Sequence, residues 1–488
     1  MSNRLTCLWL GLALPLVGCS FFSPVGPDYV RPKDTAPAQW TEAASVKAES
    51  LKLDTWWKTF NDPELDWLVK EGIHANLDLK LAASRIREAR ANRDVVFTNL
   101  LPILSARSDS IGRHNNANLG IPSSGGLSGG SLSSGNQTVG IFQNGFDASW
   151  EIDIFGGIRR SLEASEANLE SEEEAQRDVL VTLLGEIARN YIDLRSNQQL
   201  LVVTHDNLNS QENTLELIRL RNQAGLTSEL EVAQTEGLTA ETRAQAPVYE
   251  TLIRQSIHAL SVLLGKPPGQ LAYRLEQTRP LPLSTDPGLA DLPSELLRRR
   301  PDIRKAERKL AAANANVGVA TADLYPKLKL TAFLGVQNSN LTAFTPVGQS
   351  WTLMSSLSMP VFNWGRLQAN LKAKEALNEQ SLITYQSTIL KAFKEVEDAL
   401  VAHAQERNRI VSLQQAVEAQ RLARSLSLER YGKGLSAYLD VLTAERALFQ
   451  TQRELVESQA IQSSQLVALY KALGGGWQAL EPMASAAE

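Results

Sequence analysis

Cysteine is almost missing from this chain: 488 residues hold two, Cys7 and Cys19. No disulfide framework is available to staple a fold. Long apolar runs are missing as well; no stretch of about 20 residues is apolar enough for a membrane-spanning helix, so any crossing of a bilayer has to be made by strands. Aromatic residues are 6% of the chain while alanine is abundant, a composition suited to closely packed helices. The five histidines, at 74, 114, 205, 258 and 403, show neither HxxxH nor HExxH spacing, so no metal site is expected. There is no GxSxG, no P-loop and no dinucleotide fingerprint. The glycine run "LGGGW" at 473–477 closes a helical pattern instead of opening one after a strand, which argues against phosphate binding. A net charge of −5, with dispersed charges and no basic face, gives nucleic acid nothing to bind. No cofactor and no catalytic cluster are expected.

What is present begins with a leader. Arg4 supplies a charged head, Leu8 to Val17 an apolar core, and small residues precede Cys19. This reads as a secretory signal peptide over 1–18. The run Leu16-Val17-Gly18-Cys19 fits a lipobox, which would make Cys19 the lipidated first residue of the mature chain. An ordinary signal peptide with an incidental cysteine is the alternative. Ser20 stands where aspartate would hold a lipoprotein in the inner membrane, so the outer membrane is favoured. A lipid anchors a chain without making it span.

The body of the chain is duplicated. "RNQAGLTSELEVAQTE" (221–236) aligns without gaps on "RYGKGLSAYLDVLTAE" (430–445), a shift of 209 that also superposes Gly156 on Gly365 and Leu264-Gly265 on Leu473-Gly474. Upstream the shift is 224, matching "NLLP" (99–102) with "DLYP" (323–326) and Ala91-Asn92 with Ala315-Asn316. The difference is a Gly/Ser-rich insertion at 115–137, read as a long mobile loop. The expected organisation is a lipidated extended segment over 19–63, repeat 1 over 64–278, a proline-rich linker over 279–293, repeat 2 over 294–477 and a tail over 478–488. Each repeat reads as helix, two strands, long helix, turn, helix.

Period-two alternation marks the strands, at about 102–114 and 138–156 in repeat 1 and about 326–338 and 350–364 in repeat 2; it is weaker over 351–362 and weaker still over 103–113. Phe142, Phe146, Ala148, Trp150 and Ile152 alternate with Gln143, Asp147, Ser149 and Glu151, and Leu328, Leu330, Ala332 and Leu334 with Lys327, Lys329 and Thr331. Two solvated hairpins would show the same pattern. The lipid context favours a water-filled barrel, with Asp147, Glu151 and Lys329 facing inward. Four strands do not close one, since about eight is the smallest practical number. Several copies must share it, and composition does not choose between two, three or four.

Between Ile158 and Gly225, and between Arg366 and Gly434, the helical pattern runs for about 65 residues, or about 100 Å. Ile389, Phe393, Val396, Leu400, Ile410, Leu413 and Val417 recur at helical spacing and read as packing surface. Gly225 and Gly434 sit where each helix doubles back, as left-handed stops. The run "LRRRPDIRKAE" (297–307) reads as solvated arginines with one or two ion pairs, against a dedicated site for an anion or lipid head.

Five further stretches, "VGPDYVRP" (25–32), "WWKTFNDPELDWLV" (56–69), "SWEIDIFGGIRR" (149–160), "LLRRRPDIRKAERKLAAANANVGVATADLYP" (296–326) and "LVALYKALGGGW" (466–477), span nearly the whole chain. On these residues the sequence resembles the outer-membrane efflux factors, the TolC-type exit ducts, in the lipoprotein branch that serves drug efflux pumps. The resemblance implies a mainly helical chain with a transmembrane β-barrel portion: a homotrimer in which three chains of four strands close one barrel, prolonged by a long α-helical barrel into the periplasm. It implies as partners a periplasmic adaptor protein and an inner-membrane RND-type transporter, besides outer-membrane lipid. Residue by residue, it implies adaptor docking at the hairpin tips Gly225, Leu226, Thr227, Gly434, Leu435 and Ser436. It implies a periplasmic gate at Tyr431, Leu439, Asp440, Thr443 and Arg446, with Arg446 pairing Asp440 or Glu445 of a neighbouring helix, or making only a surface ion pair. Ser436 stands where some members carry an arginine, and Thr443 where many carry a second aspartate. A protein-secretion duct, a metal-efflux duct and a scaffold lipoprotein without a pore are the alternatives.

Overall fold

The computed structural model describes residues 23–33, 40, 53–115, 137–283, 298–338 and 348–480. The expected signal peptide, Cys19, most of the Gly/Ser-rich insertion, most of the 279–293 linker and most of the C-terminal tail lie outside the described residues. The chain divides into two compact units, one of Met1–Arg31, Glu88–Leu169 and Lys309–Leu382, the other of Pro32–Arg87, Glu170–Arg308 and Ile383–Glu488.

The longer helices among the described residues are α1 (Pro63–Ala75), α2 (Leu77–Thr98), α3 (Gly157–Gln223), α4 (Glu229–Leu263), α5 (Pro301–Ala322), α6 (Arg366–Gly432) and α7 (Tyr438–Ala472). The duplication is reproduced to the residue. Moved by 209, the bounds of α3 and α4 become those of α6 and α7; moved by 224, those of α2 become those of α5. None of the described helices is long and apolar enough to cross a membrane.

The first unit holds one four-stranded antiparallel sheet, β1 (Ile103–Asn115), β2 (Gln137–Ile152), β3 (Lys327–Asn338) and β4 (Gly348–Ser358), in the order β1-β2-β3-β4. Register places Trp150 opposite Leu330 on one face and Glu151 opposite Lys329 on the other, where the charged residues gather. On the charged face, Arg107 reaches Asp147 at 3.4 Å. β2 and β4 stop before the expected 156 and 364. Asp153 leaves the sheet to accept the Arg159 amide at 2.8 Å at the start of α3, and Pro360 brings a residue without an amide donor just after β4.

The stretch "VGPDYVRP" acts as a strap within this unit. Val25 donates to the Phe155 carbonyl at 3.0 Å. Arg160, buried, donates to the Val25 and Gly26 carbonyls and pairs with Asp28 at 2.6 Å. Tyr29 packs on Ala167, Ala311 and Ala312. In the second unit, Asp62 caps α1 by accepting the Glu64 and Leu65 amides, and Trp56, fully buried, stacks on Tyr470 at 5.2 Å.

Candidate functional site

The two helical turns carry the residues expected to dock an adaptor and to gate a pore. α3 and α6 end alike. Gly225 and Gly434 adopt φ of 70° and 73°, and the next residue's amide reaches back five positions, Leu226 to the Arg221 carbonyl at 2.8 Å and Leu435 to that of Arg430 at 2.9 Å. This is the Schellman stop, which needs a left-handed residue that glycine supplies without strain. Leu226 and Leu435 are exposed at the tips, 68% and 64%. Thr227 sits lower, its carbonyl accepting the Asn222 side-chain amide at 2.9 Å, and Ser436 is half-buried.

Below the tips a cluster binds the two hairpins together: Ile218 and Leu238 from the first, Tyr431, Tyr438, Val441 and Leu442 from the second. Tyr431 lies at its centre, 6% exposed. Its hydroxyl donates to Glu231 Oε2 at 2.7 Å, its ring carries the Arg221 guanidinium 4.8 Å from the centroid, and Tyr438 meets it edge-on at 5.3 Å. Burial first, then the bond to Glu231, holds the Tyr431 phenol well above its ordinary pKa, so it remains a proton donor. The Tyr438 hydroxyl shares a 2.7 Å hydrogen bond with Thr235.

Two turns beyond Tyr438 on α7, Glu445 is buried and accepts from Arg424 and Thr214, each at 3.4 Å. Burial raises its pKa against the opposing attraction of Arg424. A raised carboxyl pKa means the folded chain holds the proton more tightly than the unfolded one. Its stabilising effect is therefore full below the ordinary carboxylate pKa and is lost as pH rises through the raised value. Unfolding midpoints measured from pH 4 to 8 should fall with rising pH in that window, and Glu445→Gln should flatten the slope.

Leu439, Asp440, Thr443 and Arg446 form the opposite, exposed face of α7. Tyr431 is thus separated from the other four expected gate residues, packed inside the chain where they point away from it. Glu445 is taken by Arg424, and Arg446 lies 4.0 Å from Glu241 of α4, both exposed.

Sequence reasoning passed over Glu231, Arg221, Tyr438, Thr235, Arg424 and Glu445 as members of this cluster. Two signals pointed to Glu231: the shift of 209 sets it opposite Asp440, and Ser228-x-x-Glu231 is a capping-box spacing. The cap is half-made, since the Glu231 amide donates to Ser228 Oγ at 3.4 Å while its carboxylate serves Tyr431.

The outer membrane efflux protein family matches residues 68–266 and 292–475. The chain belongs to this family. The pyoverdine export outer membrane protein OpmQ of Pseudomonas putida is 36% identical over 98% of this chain and 99% of its own. The solvent efflux pump outer membrane protein SrpC of Pseudomonas putida is 34% identical over 95% and 97%. The solved outer-membrane channel OprN superposes with a TM-score of 0.87 at 34% identity, covering 93% of this chain and 99% of that one. The expected fold class stands with them, mainly helical with a tandem repeat and a four-stranded share of a barrel, and so does the outer-membrane location.

In this efflux protein two arginines of the basic run, Arg300 and Arg304, are internal structure. Arg300 donates to the Ala472 carbonyl at 2.9 Å and pairs with Asp302 and Glu395, each at 2.8 Å. Arg304 pairs with Glu174 at 2.5 Å and lies over the Trp477 ring. These arginines are committed within the chain, which favours the ion-pair reading over an anion site.

Proposed function

We propose that this efflux protein is the exit duct of a tripartite efflux system, a passive homotrimeric channel anchored through Cys19 and closed at its periplasmic tips. The observation that carries the reading is the open four-stranded sheet, with its charged residues on one face, in a chain that matches a solved outer-membrane channel over 93% of its length. A sheet with two unpaired edges does not persist in lipid, and closure by identical copies removes the edges. The relatives are named for export of pyoverdine and efflux of solvents, which favours small molecules over secreted proteins as cargo here. The chain conducts its cargo without transforming it. Energy comes from an inner-membrane RND-type transporter, coupled through a periplasmic adaptor docked at Leu226, Thr227, Leu435 and Ser436. The purified protein should run as a heat-sensitive oligomer and form pores in planar bilayers. A detergent-stable monomer without conductance would overturn the reading.

The gate is assigned to the exposed face of α7 and to the Tyr431 cluster behind it. One acidic side chain per copy, Asp440, makes a ring that concentrates cations by focusing the field in a narrow mouth. Thr443 is neutral, so cation selectivity should be modest. Thr443→Asp adds a second ring one turn further on, and the reversal potential in a KCl gradient should move toward the cation limit. An unchanged reversal potential would remove Thr443 from the mouth.

A further inference from the structure

The shifts that relate the two repeats also relate their hairpins. In the first hairpin Ile103 pairs with Ser149; moved by 224 and 209, these become Lys327 and Ser358, which pair in the second. Applied to the central pairing of β2 with β3, the same transfer turns Ala148 opposite Ala332 into Leu357 opposite Ser108. Those two residues lie on β4 and β1, the outermost strands of the sheet, so the transferred pair joins one copy of the chain to the next. Face parity agrees. Leu357 and Leu353 share the face of Leu328 and Ala332, and Ser108 and Gly112 share the face of Ala148 and Gly140. A one-residue slip would instead set lipid-facing positions against bore-facing ones.

Next to the sheet, the two strand-to-helix junctions differ. After β2, Phe155 stacks on Tyr325 at 4.8 Å, and the strap covers the backbone. After β4 the equivalent residue is Trp364, 89% exposed, and the counterpart of Tyr325 is Leu101, also exposed. Ala369 stands in place of Arg160, and a Cβ on Gly365 would meet nothing within 4 Å. The start of α3 is largely covered, whereas the start of α6 and most of α2, with Val95 and Phe97, are exposed.

We propose that β4 of one copy pairs antiparallel with β1 of the next with Leu357 opposite Ser108, and that Trp364 packs on Leu101 of that next copy. The seam would then repeat between chains the contact that Phe155 and Tyr325 make within one. This rests on the trimeric reading, which states that copies meet but sets no register. The internal repeat supplies the occupant and the alignment: a second copy, in the register already built once between β2 and β3.

Double-cysteine variants of the full chain test it, because the natural cysteines, Cys7 and Cys19, belong to none of the four strand sequences. Leu357→Cys with Ser108→Cys, oxidised in native membranes with copper phenanthroline, should give covalent dimers and trimers on a non-reducing gel. Leu357→Cys with Ala106→Cys or Ser110→Cys should give at least fivefold less, and the single variants none. A native oligomer in which a slipped pair cross-links best, or no pair cross-links, overturns the register while the trimeric reading stands. Absence of any oligomer in the wild type and every variant overturns both. Independently, Trp364→Ala should lower the temperature at which the oligomer dissociates. An unchanged temperature would remove Trp364 from the seam.

Discussion

Gly335→Val is expected to abolish assembly of the channel, although valine is ordinarily a favoured strand residue. Gly335 pairs with Gly145 across β2 and β3. A Cβ on Gly335 would fall 2.3 Å from the Asn144 carbonyl oxygen, 2.7 Å from Gly145 Cα and 2.6 Å from Phe333 Cζ. A Cβ on Gly145 would fall 2.8 Å from the same ring. Phe333 therefore lies flat over two paired glycines on the face that carries Asp147 and Lys329, 8% exposed. Its apolar area is hidden against that backbone. Overpacking typically costs about 1 to 3 kcal/mol; here two of the clashing atoms are backbone, so relaxation of the ring alone does not relieve them. With one clash per chain, the folded, heat-sensitive oligomer should disappear from the outer-membrane fraction. A Gly335→Val channel with wild-type amount and conductance would refute the packing argument.

Tyr431→Ala should open the periplasmic end. The substitution empties the centre of the cluster that binds the two hairpins, a loss of about 3 to 5 kcal/mol for a buried aromatic ring. It also removes a hydrogen bond to Glu231, about 1.5 to 3 kcal/mol for a charged acceptor, and the stacking of Arg221. Because these contacts lie within one chain, their loss lets one hairpin move against the other without first breaking a contact between copies. Resting conductance in planar bilayers should rise about tenfold or more, and cells should admit bulky hydrophilic antibiotics that the wild type excludes. Tyr431→Phe keeps the ring and loses only the hydroxyl, and should fall between. Equal conductance for wild type and both variants would take the gate away from this residue.

Much of the architecture was legible because repetition and period are properties of a linear string. The shifts of 209 and 224 related the helices of the two repeats and both left-handed stops, and alternation marked β2 and β3 with their charged and apolar faces, β4 more weakly and β1 more weakly still. The strand ends were less legible, since Asp153 leaves the sheet to cap a helix, and capping depends on where the helix begins. The tip cluster was hardest to see. Tyr431 and Glu231 are 200 residues apart, and helical periodicity reports that a face is buried without naming the helix that buries it.

By itself, then, the sequence determined the duplication, the element types and the positions of the turns, since each follows from local conformational preference and spacing. Tertiary structure alone decided that Arg300 and Arg304 of the basic run are used up in ion pairs, that Tyr431 turns inward while Asp440 and Thr443 turn outward, and that Phe333 lies on glycine. Each of these depends on which distant surfaces come within contact range, and packing, unlike periodicity, is set by the whole chain at once.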